Sequence, residues 1–428
     1  MTSKTAYNQC LKTMYGLKRF GIKLGLTTIR GILKGLGNPQ NTYACIHVAG
    51  TNGKGSVASA VASILKAAGY KTGLYTSPHL VRFNERITIN NRPISNKHVV
   101  DAHEAVNRVH HGNREPTFFE FSTAMALYEF GRQKVDWAVI ETGMGGRLDA
   151  TNIIKPALSI VTNISVEHKE YLGNSIHEIA YEKAGIIKRR TPVVTGVRQQ
   201  QAIEVIGKIA DAKSAPLYRL GKDFKVRRNP SGTFTYYGIT QTWRELKNAL
   251  LGNHQVENAA MALAACEILS AKKAQLPIRS IRSGLREIKW PGRLEAVSTD
   301  PFIFLDGAHN LIAARNLAKY ISSSLKNYRL TLVIGILNDK PYKAMLRTLV
   351  PVARRVIVTC PKIDRGLAPE ILYTAAKDIH SEVIIIPDVE TAVGHAIQSA
   401  GSCDAVCIAG SLYVVGEAKE ALAKMGYA

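Results

Sequence analysis

"HVAGTNGKGS", residues His47 to Ser56, decides how the rest of the chain is read. A phosphate-binding loop ordinarily runs Gly, four residues, Gly-Lys and then Ser or Thr at once. Here Gly50 stands three positions before Gly53, and Gly55 separates Lys54 from Ser56. The flanks indicate the local structure. "YACIHVA" (Tyr43 to Ala49) is an apolar run ahead of the glycines, and Val57, Val61, Ile64 and Leu65 recur behind them at helical spacing. A strand is therefore expected to pass through the loop into a helix whose N-terminus faces it. Glycines let backbone amides turn inward around phosphate oxygens, and the helix dipole favours negative charge there. Lys54 is placed to reach terminal phosphates and the Ser56 hydroxyl to ligate Mg2+. A turn that merely joins strand to helix would explain the glycines but neither the lysine nor the hydroxyl.

Composition sets the frame around this loop. The chain has 428 residues, 46% hydrophobic and 21% charged, enough to bury a sizeable core and too long for one ordinary domain. No 18-residue apolar run occurs, and no hydrophobic segment follows the basic residue of "MTSKTAYNQC". Neither a membrane span nor a signal peptide is expected, which points to a cytoplasmic enzyme without a membrane partner. The six cysteines, Cys10, Cys45, Cys266, Cys360, Cys403 and Cys407, show no metal-type pairing and read as buried reduced thiols, with "CDAVC" placing two on one side of a strand. The net charge is +23; residues 297–428 hold 14 basic and 12 acidic side chains, so +21 of it falls on residues 1–296. Such a field steers anions. The basic residues are dispersed and not interleaved with aromatics, so a nucleotide with a polycarboxylate fits better than nucleic acid.

Beyond the loop, apolar β-branched runs alternate with helical stretches, the pattern of parallel α/β sheets. "DWAVIE" (136–141), "ALSIVTN" (157–163) and "TPVVTG" (191–196) are predicted strands, and "YRLGKDFKVRRNPSGTFTYYG" (218–238) a hairpin on the first domain. "GNHQVENAAMALAACEIL" returns to helix. Past Pro291 and Gly292, the runs "FIFLDGAHN", "LTLVIGILND", "RRVIVTCP", "SEVIIIPD" and "DAVCIAGS" alternate with helices. The expected fold is α/β: a P-loop ATPase-type N-terminal domain with a parallel sheet over residues 1–295, and a smaller doubly wound Rossmann-like domain over 296–428.

Several side chains carry chemistry by position alone. Glu141 ends a strand just before "TGMGG", so its carboxylate emerges at the carboxyl edge of the sheet, where a hard cation would use it; a helix cap or an exposed strand end is the alternative. His168 follows another strand end and, taken alone, reads as a surface histidine. Ser175 and Glu178 form a capping box opening "IHEIAYEKA", whose apolar face (Ile176, Ile179, Ala180) puts Lys183 inward. Desolvation would favour its neutral amine, although snorkelling to solvent is the ordinary outcome.

The loop variant resembles that of the Mur ligase superfamily. "SPHLVRFNERI", "TFFEFSTAMAL", "ETGMGGRLDATN", "EKAGI", "GNHQVENAA", "WPGRLE", "LDGAHN" and "GSLYVVGE" extend the likeness, in order and over nearly the whole chain, to the folylpolyglutamate synthase family, including its dihydrofolate synthase branch. The resemblance implies an ATP-dependent ligase that joins L-glutamate to dihydropteroate or a reduced folate through an acyl phosphate. It implies ATP contacts from Gly50, Thr51, Asn52, Gly53, Lys54, Gly55 and Ser56, and from Asn253, Arg293, Asp306 and His309. It implies two Mg2+ held by Ser56, Ser77, Glu141, His168 and a carbamylated Lys183, with Lys54, Glu141, His168 and Lys183 as the catalytic set. Phe119 and Asp149 match positions that stack on and hydrogen-bond the pterin, and Ser411 matches a substrate-site residue. Glu167 stands where Asp is usual before the histidine. A monomer is expected, closing a cleft between its domains to exclude water. Another Mur-type amide ligase, or a basic nucleic-acid-binding P-loop protein, are the competing readings; the former would carry a further N-terminal domain, whereas 49 residues precede Gly50 here.

Overall fold

The computed structural model describes residues 3–17, 21, 23–110, 114–271, 274–401 and 403–427. The chain divides into two compact units: one of Met1–His79, Phe83–Ala249 and Gln255–Ile288, the other of Leu80–Arg82, Leu250–His254 and Lys289–Ala428.

The first unit is built on a sheet of eight strands: β1 (Ala44–Ala49), β2 (Thr72–Tyr75), β3 (Ile87–Ile89), β4 (Arg92–Pro93), β5 (Trp137–Glu141), β6 (Leu158–Val161), β7 (Val193–Thr195) and β8 (Leu217–Arg219). Their spatial order is β4-β3-β2-β5-β1-β6-β7-β8, and every pairing is parallel except those of β3 with β2 and with β4. β1 lies at the centre, with β5 on one side and β6 on the other, so the chain's path diverges at its carboxyl end. Open α/β sheets form a crevice at such a point. The expected hairpin is present as β9 (Lys225–Arg228) and β10 (Phe234–Tyr237), but a third strand, β11 (Thr242–Leu246), completes a separate antiparallel sheet. The first residues of the predicted hairpin segment belong instead to β8, which pairs in parallel with β7.

The helix after the loop, Lys54–Ala67, begins where the sequence placed it. It buries more than a stripe: every residue from Gly55 to Leu65 is buried. Small residues allow this, and Ser63 Oγ donates to the Gly284 carbonyl at 2.8 Å where the helix Ile278–Glu287 crosses it. Other helices, among them Asn96–Val109 and Phe118–Arg132, pack Val99, Phe121, Met125 and Phe130 against Ala138 and Ile140 of the sheet.

The second unit holds β12 (Glu295–Thr299), β13 (Phe302–Asp306), β14 (Arg329–Ile334), β15 (Arg355–Val358), β16 (Val383–Ile385) and β17 (Asp404–Ala409), in the order β12-β13-β17-β14-β15-β16. Only β12 is antiparallel. Alternate strand residues feed two cores: Leu332, Val356 and Cys407 pack with Leu317, Met345 and Leu372, while Val333, Ile357 and Val406 pack with Val393, Val414 and Ala418. Helices cover both faces, so this unit is doubly wound as expected. The thiols are all free, but Cys403 precedes β17 and is exposed, and Cys360 is half-buried; the reading of all six as buried holds for Cys10, Cys45, Cys266 and Cys407. No helix among the described residues is long and apolar enough to cross a membrane.

Candidate active site

The loop Gly50–Gly53 has a conformation only its sequence permits. Gly50 has φ 147° and Gly53 φ 80°, where side chains are strained. A Cβ on Gly50 would lie 1.9 Å from Thr162 Oγ1, and one on Gly53 2.6 Å from Asn258 Oδ1. The segment after β6 clasps the loop from the side. Asn163 Oδ1 accepts from Asn52 N at 2.8 Å and its Nδ2 donates to Asn52 O at 2.9 Å, while Thr162 Oγ1 donates to the same carbonyl at 2.7 Å. Thr51 N donates to Asn163 O at 2.9 Å, and its hydroxyl accepts from Ser165 N at 3.0 Å. Thr51 and Asn52 therefore hold the loop's shape. Gly55 and Ser56 lie in the first helical turn, with Ser56 buried.

Charged side chains meet at the end of β1. Lys54 Nζ donates to the carbonyls of Gly50 (3.1 Å) and Thr51 (3.2 Å) and stands 4.0 Å from Glu141 Oε1. Glu141 is 5% exposed, so it is not a solvated strand end, and its Oε2 accepts from Ser77 N at 3.2 Å. Lys183 comes in from the opposite side on the helix Ile176–Ala184, whose capping box of Ser175 and Glu178 forms as expected. It is 1% exposed, and its Nζ donates to Gly50 O at 2.9 Å and to Glu167 Oε1 at 2.8 Å. Two ammonium groups thus share one carbonyl, and Ser77, Glu141, Lys54, Lys183 and Glu167 form a connected series of contacts.

Burial lowers the pKa of Lys183, an effect its ion pair with Glu167 only partly offsets. Burial alone would raise the carboxyl of Glu167, but Lys183 and Lys54 outweigh it and hold that group at about 2. Glu167 is thus the counter-ion of the buried lysine. His168 follows it in a left-handed conformation (φ 47°) and is exposed. Among the described residues no three His, Cys, Asp or Glu side chains form a metal-holding group. A hard cation here would draw on Glu141, the hydroxyls of Ser56 and Ser77, and oxygens of a bound ligand, a donor set suited to Mg2+.

Phe119 and Asp149 meet at the turn that follows Glu141. A Cβ on Gly143 would lie 2.4 Å from Phe119 Cζ, so the ring packs flush on the turn; it also lies 6.1 Å from the Tyr75 ring. Asp149 is buried and caps the short helix Ala150–Ile153. Its Oδ1 accepts from Thr151 N (3.0 Å) and its Oδ2 from Met144 N (2.9 Å). Burial raises its pKa, against the pull of these hydrogen bonds.

In the second unit the candidates collect at the carboxyl edge of the second sheet. Asp306 ends β13, is buried and accepts from Leu294 N at 2.9 Å; desolvation lifts its carboxyl to about 6. His309 Nδ1 lies 2.8 Å from Gly307 O. A Cβ on Gly307 would lie 2.2 Å from Arg293 Nη1, placing that half-buried guanidinium over the turn. Ser411 caps the helix Leu412–Lys424 by accepting from Val414 N at 3.1 Å. Asn253 opens the helix Asn253–Ser270 and is exposed. Sequence reasoning missed the roles of Asn163, Thr162 and Glu167. For Glu167 a signal existed, because an inward lysine requires a counter-charge.

Comparison with known proteins bears on this arrangement. Residues 48–266 match the family described as Mur ligase middle domain, and residues 292–412 the Mur ligase, glutamate ligase domain. The chain is 36% identical to the dihydrofolate synthase/folylpolyglutamate synthase of Bacillus subtilis, over 98% of this chain and 99% of that protein. Its fold matches the crystal structure of folylpolyglutamate synthase from Thermotoga maritima with a TM-score of 0.87 and 37% identity, covering 99% and 98% of the two chains. It matches Escherichia coli FolC in complex with DHPP and ADP with a TM-score of 0.89 and 30% identity, covering 97% and 98%.

Proposed function

The chain belongs to the Mur ligase family and is an ATP-dependent amide ligase of the dihydrofolate synthase/folylpolyglutamate synthase kind, and from that premise we propose how its own residues carry the reaction. The terminal phosphoryl group of ATP passes to a carboxylate of dihydropteroate or a folate. The amine of L-glutamate then adds to the acyl carbon, and the tetrahedral intermediate collapses with loss of phosphate, leaving the amide and ADP. The observation that carries this reading is the convergence of Lys54, Glu141 and Lys183 on the end of β1 beside a glycine loop that opens a helix.

Phosphoryl transfer to a carboxylate brings two anions together, so positive charge must be fixed in advance. Lys54 supplies it. Its hydrogen bonds go to two neutral carbonyls, with the Glu141 carboxylate at 4.0 Å; these hold it less firmly than phosphate oxygens in direct contact, so the ammonium turns to the nucleotide when ATP binds. The amides of the loop and the start of Lys54–Ala67 cradle the remaining phosphate charge. Two Mg2+, when bound, offset negative charge on phosphate and carboxylate. Ser56, Ser77, Glu141, His168 and a carbamylated Lys183 would hold them. The lowered pKa of Lys183 supplies the neutral amine that carbamylation needs: the nitrogen bonds to CO2 and releases a proton, converting a cation into an oxygen ligand.

Phe119 and Asp149 bind the pterin. Arg293, Asp306, His309 and Asn253 are the second unit's residues for the nucleotide, with Ser411 serving the substrate, on the strength of the resemblance. The test is purified protein with ATP, Mg2+ and radiolabelled glutamate, offered dihydropteroate and tetrahydrofolate separately. Label incorporation dependent on either acceptor supports the reading; ATP turnover without incorporation overturns it.

A further inference from the structure

His47 is a poor choice for the place it occupies. It sits mid-strand in β1 between Ile140 of β5 and Ser159 of β6 and is fully buried. Its Nδ1 has no hydrogen-bond partner among the described residues. An orphaned buried acceptor costs about 1–3 kcal/mol, and an apolar side chain of similar size would avoid that cost. The other ring nitrogen does have a partner: Nε2 lies 2.8 Å from Thr151 Oγ1. The Thr151 hydroxyl donates in turn to Asp149 Oδ1.

Proton counting fixes the direction of this series. An ionised Asp149 only accepts, so the single hydroxyl proton of Thr151 is committed to it. The Thr151 oxygen must then accept, and His47 must carry its proton on Nε2, which leaves the partnerless Nδ1 as the unprotonated nitrogen. Burial, reinforced by the nearby Lys188, holds the ring neutral by pushing its pKa down to about 3. Lys188 fastens the next residue of the same turn, donating to Asn152 Oδ1 at 2.7 Å and Asn152 O at 3.2 Å.

We propose that His47 is a positioning residue for the pterin-bearing substrate, acting through Thr151 to fix the rotamer and charge of Asp149. The proposal rests on the reading that Asp149 meets the pterin. With Oδ1 held by Thr151, Oδ2 keeps accepting capacity beyond the Met144 amide for donors on the ligand. Without the histidine the Thr151 oxygen loses the donor that sets its hydroxyl direction, so the hydroxyl bond to Asp149 weakens and the carboxylate is held only by backbone amides, those of Thr151 and Met144 among them.

The test is steady-state kinetics on full-length His47→Phe, His47→Gln and Asp149→Asn. Phenylalanine keeps the volume and removes the donor; glutamine restores an N–H near the Nε2 position. We expect His47→Phe to raise KM for the pterin substrate about fivefold, the worth of one net hydrogen bond, with KM for ATP and glutamate unmoved. His47→Gln should recover most of the loss, and His47→Phe should add nothing in the Asp149→Asn background. If Asp149→Asn raises the pterin KM and His47→Phe does not, the relay is refuted. If Asp149→Asn leaves that KM unchanged, the reading beneath it is wrong and the proposal falls with it. A loss of kcat with all three KM values changed alike would mark a merely structural histidine and overturn it. Should the phenylalanine variant not fold, 15N NMR of the wild-type histidines decides: a neutral ring protonated on Nε2 supports the relay, and one protonated on Nδ1 overturns it.

Discussion

Glu167→Gln isolates the electrostatics of the site from its shape. The substitution keeps the side chain's size and a hydrogen-bonding oxygen but removes the charge facing Lys183, which is 1% exposed. Two routes give the magnitude. The carboxyl of Glu167 falls from 4.5 to about 2 on folding, and at roughly 1.4 kcal/mol per unit this corresponds to about 3 kcal/mol of stabilisation. Independently, breaking a buried ion pair by removing one partner costs roughly 3–5 kcal/mol. The routes overlap near 3 kcal/mol, which is the expected loss at neutral pH.

The pH dependence carries the sign. Because the folded-state pKa of Glu167 is depressed, its contribution is fully present above about 4.5 and disappears as pH falls toward about 2. Wild type and variant should therefore converge in acid. On the alkaline side the shift of Lys183 is also downward, so the unfolded lysine keeps its proton longer and stability rises with pH in that range. Removing Glu167 pushes the folded lysine further down and lets it discharge sooner, so the variant regains stability as pH rises. Urea unfolding in metal-free, CO2-free buffer, followed by the fluorescence of buried Trp137, measures both trends. A difference below about 1 kcal/mol at neutral pH, or one that does not shrink toward acid, would refute the account of Glu167 as the buried lysine's counter-ion.

Four further outcomes follow from the same contacts. Lys54→Ala should remove on the order of 3 kcal/mol of transition-state stabilisation, about a hundredfold in kcat, and an effect under tenfold would count against the phosphate-loop reading. Glu141→Gln should abolish ligation while circular dichroism and Tm stay near wild type; near-normal turnover removes this carboxylate from the mechanism. Gly50→Ala forces a Cβ to 1.9 Å from Thr162 Oγ1 at φ 147°, so equilibrium unfolding should show a loss of about 1–3 kcal/mol together with lost nucleotide affinity, and a variant within about 0.5 kcal/mol of wild type contradicts the geometry. Lys183→Ala should be nearly inactive, with short carboxylic acids restoring part of the activity by filling the vacated oxygen site; full activity without them excludes the carbamate.

What the sequence made legible was whatever depends on period and on backbone conformation. The helix onset at Lys54, the inward face of Lys183, the Ser175–Glu178 box and the strands on either side of β1 follow from spacing alone. The strands that escaped notice are short or antiparallel: β2 has four residues, β8 has three, and β12 pairs antiparallel at an edge of its sheet. Such runs are too brief for period to separate strand from loop. Cys403 was misplaced for a related reason, since two residues four apart share a strand face only if both lie in the strand, and β17 starts at Asp404.

Contacts between distant parts of the chain were a different kind of omission. Asn163 reaches Asn52 across 111 positions and His47 reaches Thr151 across 104. A polar residue in a strand announces that it needs a partner, but only the strand order β5-β1-β6 determines which partner arrives. That order places the ends of three strands side by side, so Gly50, Glu141 and Thr162 each begin or flank a loop at one edge of the sheet. The consequence appears at Gly50 O, the single acceptor shared by Lys54 and Lys183. The two carboxylates beside these ammonium groups, Glu141 and Glu167, balance them in number but not in distance: Glu167 lies 2.8 Å from Lys183, whereas Glu141 stands 4.0 Å from Lys54. Lys183 is thus closely paired, while the hydrogen bonds of Lys54 go to neutral carbonyls. An arriving anion can take up Lys54 without breaking a close ion pair, and that asymmetry at the end of β1 is itself an argument for the polyphosphate reading.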